Sequence, residues 1–430
     1  MKNNTFFKTT VILILGGAIT KALGMIIKII MTRIVGIEGI SLYMLIFPTF
    51  SLFMTLSQLG FPIAISKLVA EEKYNNKNLI FSIIPFSFIF NLILMFIIIF
   101  SANILANDFL NDSRAYYPIL AIALVIPFDS LSSIIRGYFF GKQKMLPHIF
   151  SLIIEQIVRF LLIIFICPSL LEKGIILAVT GLVLVNMISE LSSIIFLLFL
   201  IPNKNNITKK DIIPNIRSIK SVLEIAFPTT GSRLIGTICY FFEPIILTSC
   251  LSYVGYSTQY IIVEYGIIEG YVIPLLVLPN FFTNALCNAL IPTISKSYSA
   301  GNLKDVRKKL NQVIFVSLFI GVPLTLTLII NPLFFLRNIY NTIHGSVYLR
   351  VLAPFFILLY IQAPFASVLQ AINKSKNVMY DNLIGTIGKI ILIFVCSFFR
   401  IGLFCFLIGM IFNIVIVTFL HYKTIKKELA

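Results

Sequence analysis

Long stretches of this chain are apolar on every helical face, and each is about as long as a membrane is thick. Residues 83–102, 149–166 and 311–336 consist mainly of apolar side chains, and about 20 helical residues cross the hydrocarbon core of a bilayer. The strands of a β-barrel would alternate polar and apolar positions, whereas these stretches are apolar at odd and even positions alike. The pattern therefore predicts transmembrane helices.

Charged residues and clusters of Gly, Asn and Pro separate the apolar segments and divide the chain into twelve predicted spans. These spans are residues 9–31, 41–66, 79–102, 116–136, 147–167, 174–201, 221–250, 260–295, 311–333, 347–372, 379–399 and 401–422. Prolines in the second, seventh and eighth spans predict kinks or broken helices at Pro48, Pro62, Pro228, Pro244, Pro274 and Pro279. The predicted fold class is an all-α polytopic membrane protein.

Composition and charge fit this topology and exclude a soluble nucleic-acid-binding protein. Hydrophobic residues make up 58% of the 430 residues, and the mean hydropathy is +0.99. The formal charge of +17 comes mostly from the N-terminus, the loops after even-numbered spans and the C-terminal tail. The positive-inside rule places both termini and the loop 201–220 in the cytoplasm. The opposite side has six basic residues: Arg33, Arg114, Lys173, Arg337, Arg350 and Arg400.

An internal repeat divides the chain into two halves. The segment LGFPIAISK at 59–67 recurs as ALIPTISK at 289–296, and TKALG at 20–24 recurs as SRLIG at 232–236. Each half contains an even number of spans, so the halves have the same orientation, as in transporters built from parallel repeats. We therefore expect an N-terminal six-helix lobe at 1–205 and a C-terminal one at 206–430, around a central cavity that serves alternating access.

Ionisable side chains inside predicted spans are costly, and those that persist are candidates for function. On the first span Gly17, Lys21, Gly24 and Lys28 lie on one helical stripe. This stripe predicts a surface for a phosphate or pyrophosphate group; the alternatives are snorkelling to the interfaces or pairing with acids of other helices. The predicted substrate-binding cations, which would line the cavity, are Lys21, Lys28, Arg159, Arg233 and Lys389.

Four acids inside predicted spans are candidates for ion or proton coupling, or for simple pairing: Asp129, Glu155, Glu190 and Glu243. Glu155 and Arg159 have the i, i+4 spacing of a helical ion pair. Asp129 and Arg136, seven residues apart, are expected to pair likewise. Glu243 precedes Pro244 and could hold a cation or a proton beside a freed carbonyl, or could mark only a kink.

Catalytic and cofactor signatures are not found in the sequence. The six cysteines lack CxxC spacing and are interpreted as small packing residues. The three histidines are scattered at span ends, and no Gly-rich phosphate loop is present. We therefore expect a protein without enzymatic activity, cofactor or metal, whose partners are the lipid bilayer and a transported substrate.

Several segments resemble the stage V sporulation protein B group of polysaccharide exporters, in the multidrug/oligosaccharidyl-lipid/polysaccharide flippase superfamily. They are RIVGIEGISLY at 33–43, LGFPIAISKLVAE at 59–71, RGYFFGKQKMLP at 136–147, IIEQIVR at 153–159 and ALIPTISKSY at 289–298. The resemblance spans nearly the whole chain and implies two lobes whose cavity moves an undecaprenyl-pyrophosphate-linked sugar or muropeptide outward. It also implies contact with proteins of cell-wall synthesis.

The resemblance assigns one residue role and leaves alternatives open. In lipid II flippases a cation of the first helix, in a Ser-Arg-x-x-Gly segment, lines the cavity for pyrophosphate, and residues 20–24 resemble that segment, which carries the role to Lys21. Relatives commonly have fourteen spans, and two C-terminal spans have no counterpart here. A multidrug extruder of the same fold and a non-transporting scaffold of cell-wall assembly remain the alternatives, although a basic cavity would repel organic cations.

Overall fold

The computed structural model describes residues 2–72, 75–200 and 213–429, and these residues form helices joined by short turns, without a strand. Side chains are described from Gly16 onward, apart from a few positions on α7 and α10. The helices are α1 Lys2–Gln58, α2 Phe61–Glu71, α3 Asn76–Ile104, α4 Tyr116–Gly141, α5 Met145–Glu172, α6 Ile175–Phe199, α7 Ile216–Tyr253, α8 Thr258–Ile267, α9 Ile273–Leu276, α10 Leu278–Ser299, α11 Leu303–Ile330, α12 Pro332–Tyr340, α13 Ser346–Ala371, α14 Ser375–Ser397 and α15 Phe404–Leu429.

The helices confirm the all-α membrane fold. Among the described residues, eleven helical segments are long and apolar enough to cross a bilayer, and the first of them, Gly16–Glu71, has 56 residues. That length is enough for two spans. Within it Gly36 has φ 66° and ψ −168°, a non-helical conformation that glycine adopts without a Cβ clash. Gly36 therefore separates the first two predicted spans.

A second break interrupts the same segment between α1 and α2. Leu59 has φ 42° and Gly60 has φ 62°, so the chain leaves the helical conformation and re-enters it at Phe61, with Pro62 in the first turn. Proline is favoured there because the first turn does not use its missing N–H. A Cβ on Gly60 would lie 2.3 Å from Thr229 Oγ1, so α7 approaches this break closely.

Two of the three proline-containing spans are interrupted: the second, between α1 and α2 next to Pro62, and the eighth. Helix α7 is a single helix through Pro228 and Pro244, and α1 runs through Pro48. The eighth predicted span is interrupted by a π-helical turn at Ile268–Val272 and by Val277, between α9 and α10. Glu264 and Glu269 lie in this interrupted span, in α8 and in the π turn.

Packing divides the chain into two compact units, Met1–Phe241 and Phe242–Ala430. Their boundary lies inside α7, whereas the repeat boundary at residues 205 and 206 is one of sequence and stays a prediction. In the first unit, buried residues of α2, α3, α4 and α7 form a core that includes Phe61, Ile83 and Val222. A Cβ on Gly141 would lie 2.6 Å from the Ser66 carbonyl oxygen, which shows how closely α4 and α2 pack.

In the second unit, residues of α10, α11, α13, α14 and α15 form a corresponding core that includes Ile294, Val306 and Leu369. Large apolar side chains on the outer faces of both units are exposed. Phe100 is 79% exposed, Phe165 74% and Phe319 70%. Such apolar surface is stable against lipid tails and not against water, in keeping with the membrane assignment.

Candidate functional site

Arg136 is the centre of a buried ion network in the first unit. Its guanidinium Nη2 donates hydrogen bonds to Glu155 Oε2 at 2.7 Å, to Glu190 Oε2 at 3.2 Å and to Ser193 Oγ at 2.7 Å. The three partners come from α5 and α6, while Arg136 comes from α4. Both carboxylate side chains are 6% exposed and Arg136 is 14% exposed. A charge buried in this way is stable only when it is paired and hydrogen-bonded.

Arg159 joins the same network through Glu155. Its Nη2 donates to Glu155 Oε1 at 2.6 Å, four residues earlier on α5. Glu155 therefore accepts a hydrogen bond from a guanidinium group at each of its two oxygens. The sequence predicted substrate binding for Arg159, with an ion pair to Glu155 as the alternative. In the structure Arg159 is paired with Glu155.

Asp129 does not pair with Arg136, although both lie on α4, and the predicted contact is wrong. Seven residues along a helix separate the two positions by about 10 Å, which is beyond the reach of a direct hydrogen bond. The Asp129 carboxylate instead accepts from Gln58 Nε2 at 2.9 and 3.2 Å and from Ser57 Oγ at 3.4 Å. Gln58 and Ser57 are the last two residues of α1.

Further polar side chains from α3 and α4 lie beside these contacts. Ser87 Oγ and Ser130 Oγ are 2.6 Å apart, and Asn91 Nδ2 donates to the Ser87 carbonyl at 2.8 Å and to the Ser57 carbonyl at 3.5 Å. Except for the half-buried Gln58, these side chains are at most 4% exposed. Here the name Asp129 cluster denotes Ser57, Gln58, Ser87, Asn91, Asp129 and Ser130.

In the second unit the predicted cavity cation Lys389 is paired as well. Its Nζ lies 2.7 Å from Glu243 Oε1, and the two side chains are 13% and 3% exposed. The ammonium group also lies 5.0 Å from the centre of the Phe406 ring, a favourable cation–π distance. The pair joins α7 to α14, so Glu243 holds a lysine amine.

Lys21 and Arg233 differ from these residues because their side chains are exposed. Both lie in helical segments that are apolar enough to cross a membrane, where an exposed cation faces water or an anionic group. Lys28 is half-buried and has a polar interaction of its own. A Cβ on Gly17 would meet nothing within 4 Å, so the surface beside Lys21 is open.

The polar groups that sequence reasoning missed are neutral or far apart in sequence. The spacing of Ser87 and Asn91, four residues apart in an apolar span, was a signal for a shared polar face on α3. His421 and Asp381, both buried, approach to 3.7 Å between α15 and α14. In the part of the chain that the structure describes, no three His, Cys, Asp or Glu side chains form a group able to hold a metal ion. Every described cysteine is a free thiol.

Two family models match this chain. Residues 6–298 match the family model described as polysaccharide biosynthesis protein, and residues 244–395 match the MatE model. The chain is 36% identical to stage V sporulation protein B of Bacillus subtilis over all of this chain and 85% of the relative. It is 26% identical to the lipid II flippase MurJ of Bacillus subtilis, over 91% of this chain and 77% of the relative.

Solved structures show the same fold. An inward-facing MATE-family multidrug resistance transporter matches with a TM-score of 0.76 at 14% identity, covering 95% of this chain and 94% of the transporter. A transporter of the same superfamily from Pyrococcus furiosus, described as having reverse polarity of its binding pocket, matches with a TM-score of 0.63 at 15% identity. This match covers 98% of this chain and 95% of the transporter. At such low identity the likeness concerns the fold.

Proposed function

This chain belongs to the polysaccharide biosynthesis protein family, and we propose that it is a membrane flippase for an undecaprenyl-pyrophosphate-linked oligosaccharide or peptidoglycan precursor. It would move this lipid to the outer leaflet by alternating access. The relative named lipid II flippase supports this substrate class. The transporter fold supports movement of a substrate, without covalent chemistry, as the activity.

The observation that carries the proposal is the exposure of Lys21 and Arg233 in membrane-spanning segments. A pyrophosphate is a multiply charged anion, and lysine and arginine are its usual protein ligands. Three other interior cations, Arg136, Arg159 and Lys389, already have carboxylate partners. Lys21 and Arg233 are therefore the side chains best placed to gain from an anionic headgroup.

The remaining predicted cations take lesser roles in this proposal. Lys28 lies two turns along α1 from Lys21 and extends the same basic stripe. Arg159 and Lys389 could bind a headgroup only by releasing Glu155 and Glu243, which would leave carboxylates buried without partners. We therefore rank them below Lys21 and Arg233 as substrate ligands.

Orientation and energy supply complete the proposal. We place both termini in the cytoplasm, because the basic loops lie on that side under the positive-inside rule. Membrane potential or ion coupling would drive outward movement, with Asp129, Glu155, Glu190 and Glu243 as the carboxylates available for coupling. Proteins of cell-wall synthesis are the expected partners.

Flipping can be tested in proteoliposomes that contain a fluorescent undecaprenyl-pyrophosphate glycolipid, with leaflet accessibility as the measurement. Wild type should move the lipid between leaflets, and Lys21→Ala and Arg233→Ala should each slow the movement about tenfold, the loss expected for one charge-assisted phosphate contact. Lys220→Ala is the matched control, because Lys220 is exposed on α7 and precedes the predicted span 221–250.

Two results would contradict the proposal in different ways. Unchanged flipping by both variants would remove Lys21 and Arg233 from the binding surface. Failure of wild type to move the glycolipid, together with efflux of an organic cation from the same vesicles, would instead favour a multidrug extruder.

A further inference from the structure

The Asp129 cluster contains a buried carboxylate whose described hydrogen bonds are all with neutral donors. Gln58 and Ser57 supply its hydrogen bonds, whereas Arg136, on the same helix, is bound to Glu155 and Glu190. Asp129, Glu155 and Glu190 are three carboxylates, and Arg136 and Arg159 provide two guanidinium groups. These five groups therefore have a formal charge of −1 inside the membrane, where an uncompensated charge is costly.

The cluster offers oxygen atoms to a cation. Asn91 Oδ1 has no hydrogen-bond partner among the described residues. The Asn91 side chain is completely buried from solvent, so this oxygen is available to a ligand inside the protein. The hydroxyl groups of Ser87 and Ser130 are in mutual contact. Carboxylate, amide and hydroxyl oxygens are the ligands that hard cations prefer.

The end of α1 adds a favourable electrostatic field at the same place. Helix α1 ends at Gln58, and the left-handed conformations of Leu59 and Gly60 separate it from α2 within one membrane-spanning segment. The C-terminal end of a helix has a partial negative charge from its unpaired carbonyl groups. In transporters, interrupted helices of this kind direct such carbonyls toward a bound cation.

A monovalent metal ion fits these ligands better than a divalent ion does. Gln58 donates to both oxygens of Asp129 and Ser57 donates to one. Calcium sites usually combine several carboxylates, whereas this cluster has Asp129 alone. We propose that the Asp129 cluster is a binding site for a monovalent alkali cation, with sodium as the expected ion.

As a coupling site the cluster rests on the proposed flippase function, but cation binding itself does not require transport. The test therefore measures binding of radioactive sodium to the purified full-length protein in detergent, without lipid substrate, and with choline chloride replacing other salt. Wild type should bind sodium saturably. Asp129→Asn should weaken binding at least about tenfold, because the charged ligand is lost. Asn91→Ala and Ser130→Ala should weaken it less, because each removes a neutral ligand.

Asp381→Asn is the matched control, because it also neutralises a buried aspartate, in the second unit. It should bind sodium as wild type does. The proposal is overturned if wild type binds no sodium, if Asp129→Asn binds as tightly as wild type, or if Asp381→Asn loses as much affinity as Asp129→Asn. Loss of glycolipid flipping with sodium binding intact would contradict the flippase function and leave the cation site standing.

Discussion

In the first unit α4, α5 and α6 contribute Arg136, Glu155, Arg159 and Glu190 to one ion network, whereas in the second unit Lys389 of α14 pairs with Glu243 of α7. Arg159 precedes Lys389 by 230 positions, the offset that also separates Pro62 from Pro292 in the repeated segments, so the two cations occupy corresponding places in the sequence repeat. Arg159 finds its acid four residues earlier on its own helix, while Lys389 finds its acid on another helix. The two halves therefore neutralise equivalent cations by different means.

Packing explains why Lys389 cannot pair with an acid four residues earlier on its own helix, as Arg159 does. The position four residues before Lys389 is Gly385, where a Cβ would lie 2.2 Å from Val417 Cγ2 of α15. An acidic side chain cannot occupy that contact without displacing α15. Seven residues after the repeated segments TKALG and SRLIG, the first half has the buried apolar residue Met31 where the second half has Glu243. Both halves thus have the cation, and each pairs it with an acid at a different position.

The largest effect is expected from Arg136→Met. This substitution removes the partner of Glu190 and one of the two partners of Glu155, and breaking a buried ion network by removing one member costs about 3 to 5 kcal/mol. We expect the upper end of this range in free energy of unfolding. Unfolding can be measured in a background in which Cys167 is the only cysteine. The buried Cys167 thiol of the first unit reacts with a thiol-specific fluorophore when heating unfolds that unit.

Lys142→Met is the control for this experiment. Lys142 follows α4 and forms a surface contact with Glu72 at 3.5 Å, with side chains 30% and 75% exposed. Exposed ion pairs contribute little to stability. Equal denaturation temperatures for Arg136→Met and Lys142→Met would show that the buried network does not hold the first unit together.

Much of the fold was predictable from the sequence, because bilayer thickness sets the length of apolar segments and glycine marks their breaks. The Glu155–Arg159 contact was also accessible, since it follows from the i, i+4 geometry of a single helix. Arg136 was harder to interpret. Its acids come from α5 and α6, and only the packing of those helices against α4 decides which carboxylates it meets.

Contacts between residues far apart in sequence carried no usable signal. Glu243 and Lys389 lie on helices far apart in sequence, so their pairing depends on tertiary structure. Gln58, the main partner of Asp129, is an ordinary polar residue near the end of a span, and its role arises from the break at Gly60. Repeat symmetry indicated where cations recur and gave no information about their partners.

A smaller effect is expected from Lys389→Met in the second unit. Glu243 then lacks its ammonium partner, but it is a single carboxyl group that can take up a proton, which relieves part of the burial penalty. We expect a loss of about 2 to 3 kcal/mol. This loss of stability can be measured by thiol labelling during heating, in a background in which the buried Cys405 is the only cysteine.

Combining Lys389→Met with Glu243→Gln should restore most of the lost stability, because an uncharged pair of similar size has no ionic desolvation penalty. A double variant less stable than Lys389→Met would show that Glu243 contributes through contacts other than the ion pair.

The smallest effect is expected from Arg159→Met, and it separates the two repeat-equivalent cations most directly. Glu155 keeps its 2.7 Å contact with Arg136 when Arg159 is removed, so no carboxylate is left without a partner. The loss should therefore be about 0.5 kcal/mol, the usual contribution of one helical ion pair. The comparison is between two losses of stability on heating: that of Arg159→Met, measured by the labelling of Cys167, and that of Lys389→Met, measured by the labelling of Cys405. If Arg159→Met destabilises its unit as much as Lys389→Met destabilises the other, Glu155 depends on both guanidinium groups, and the two cations are energetically equivalent despite their different partners.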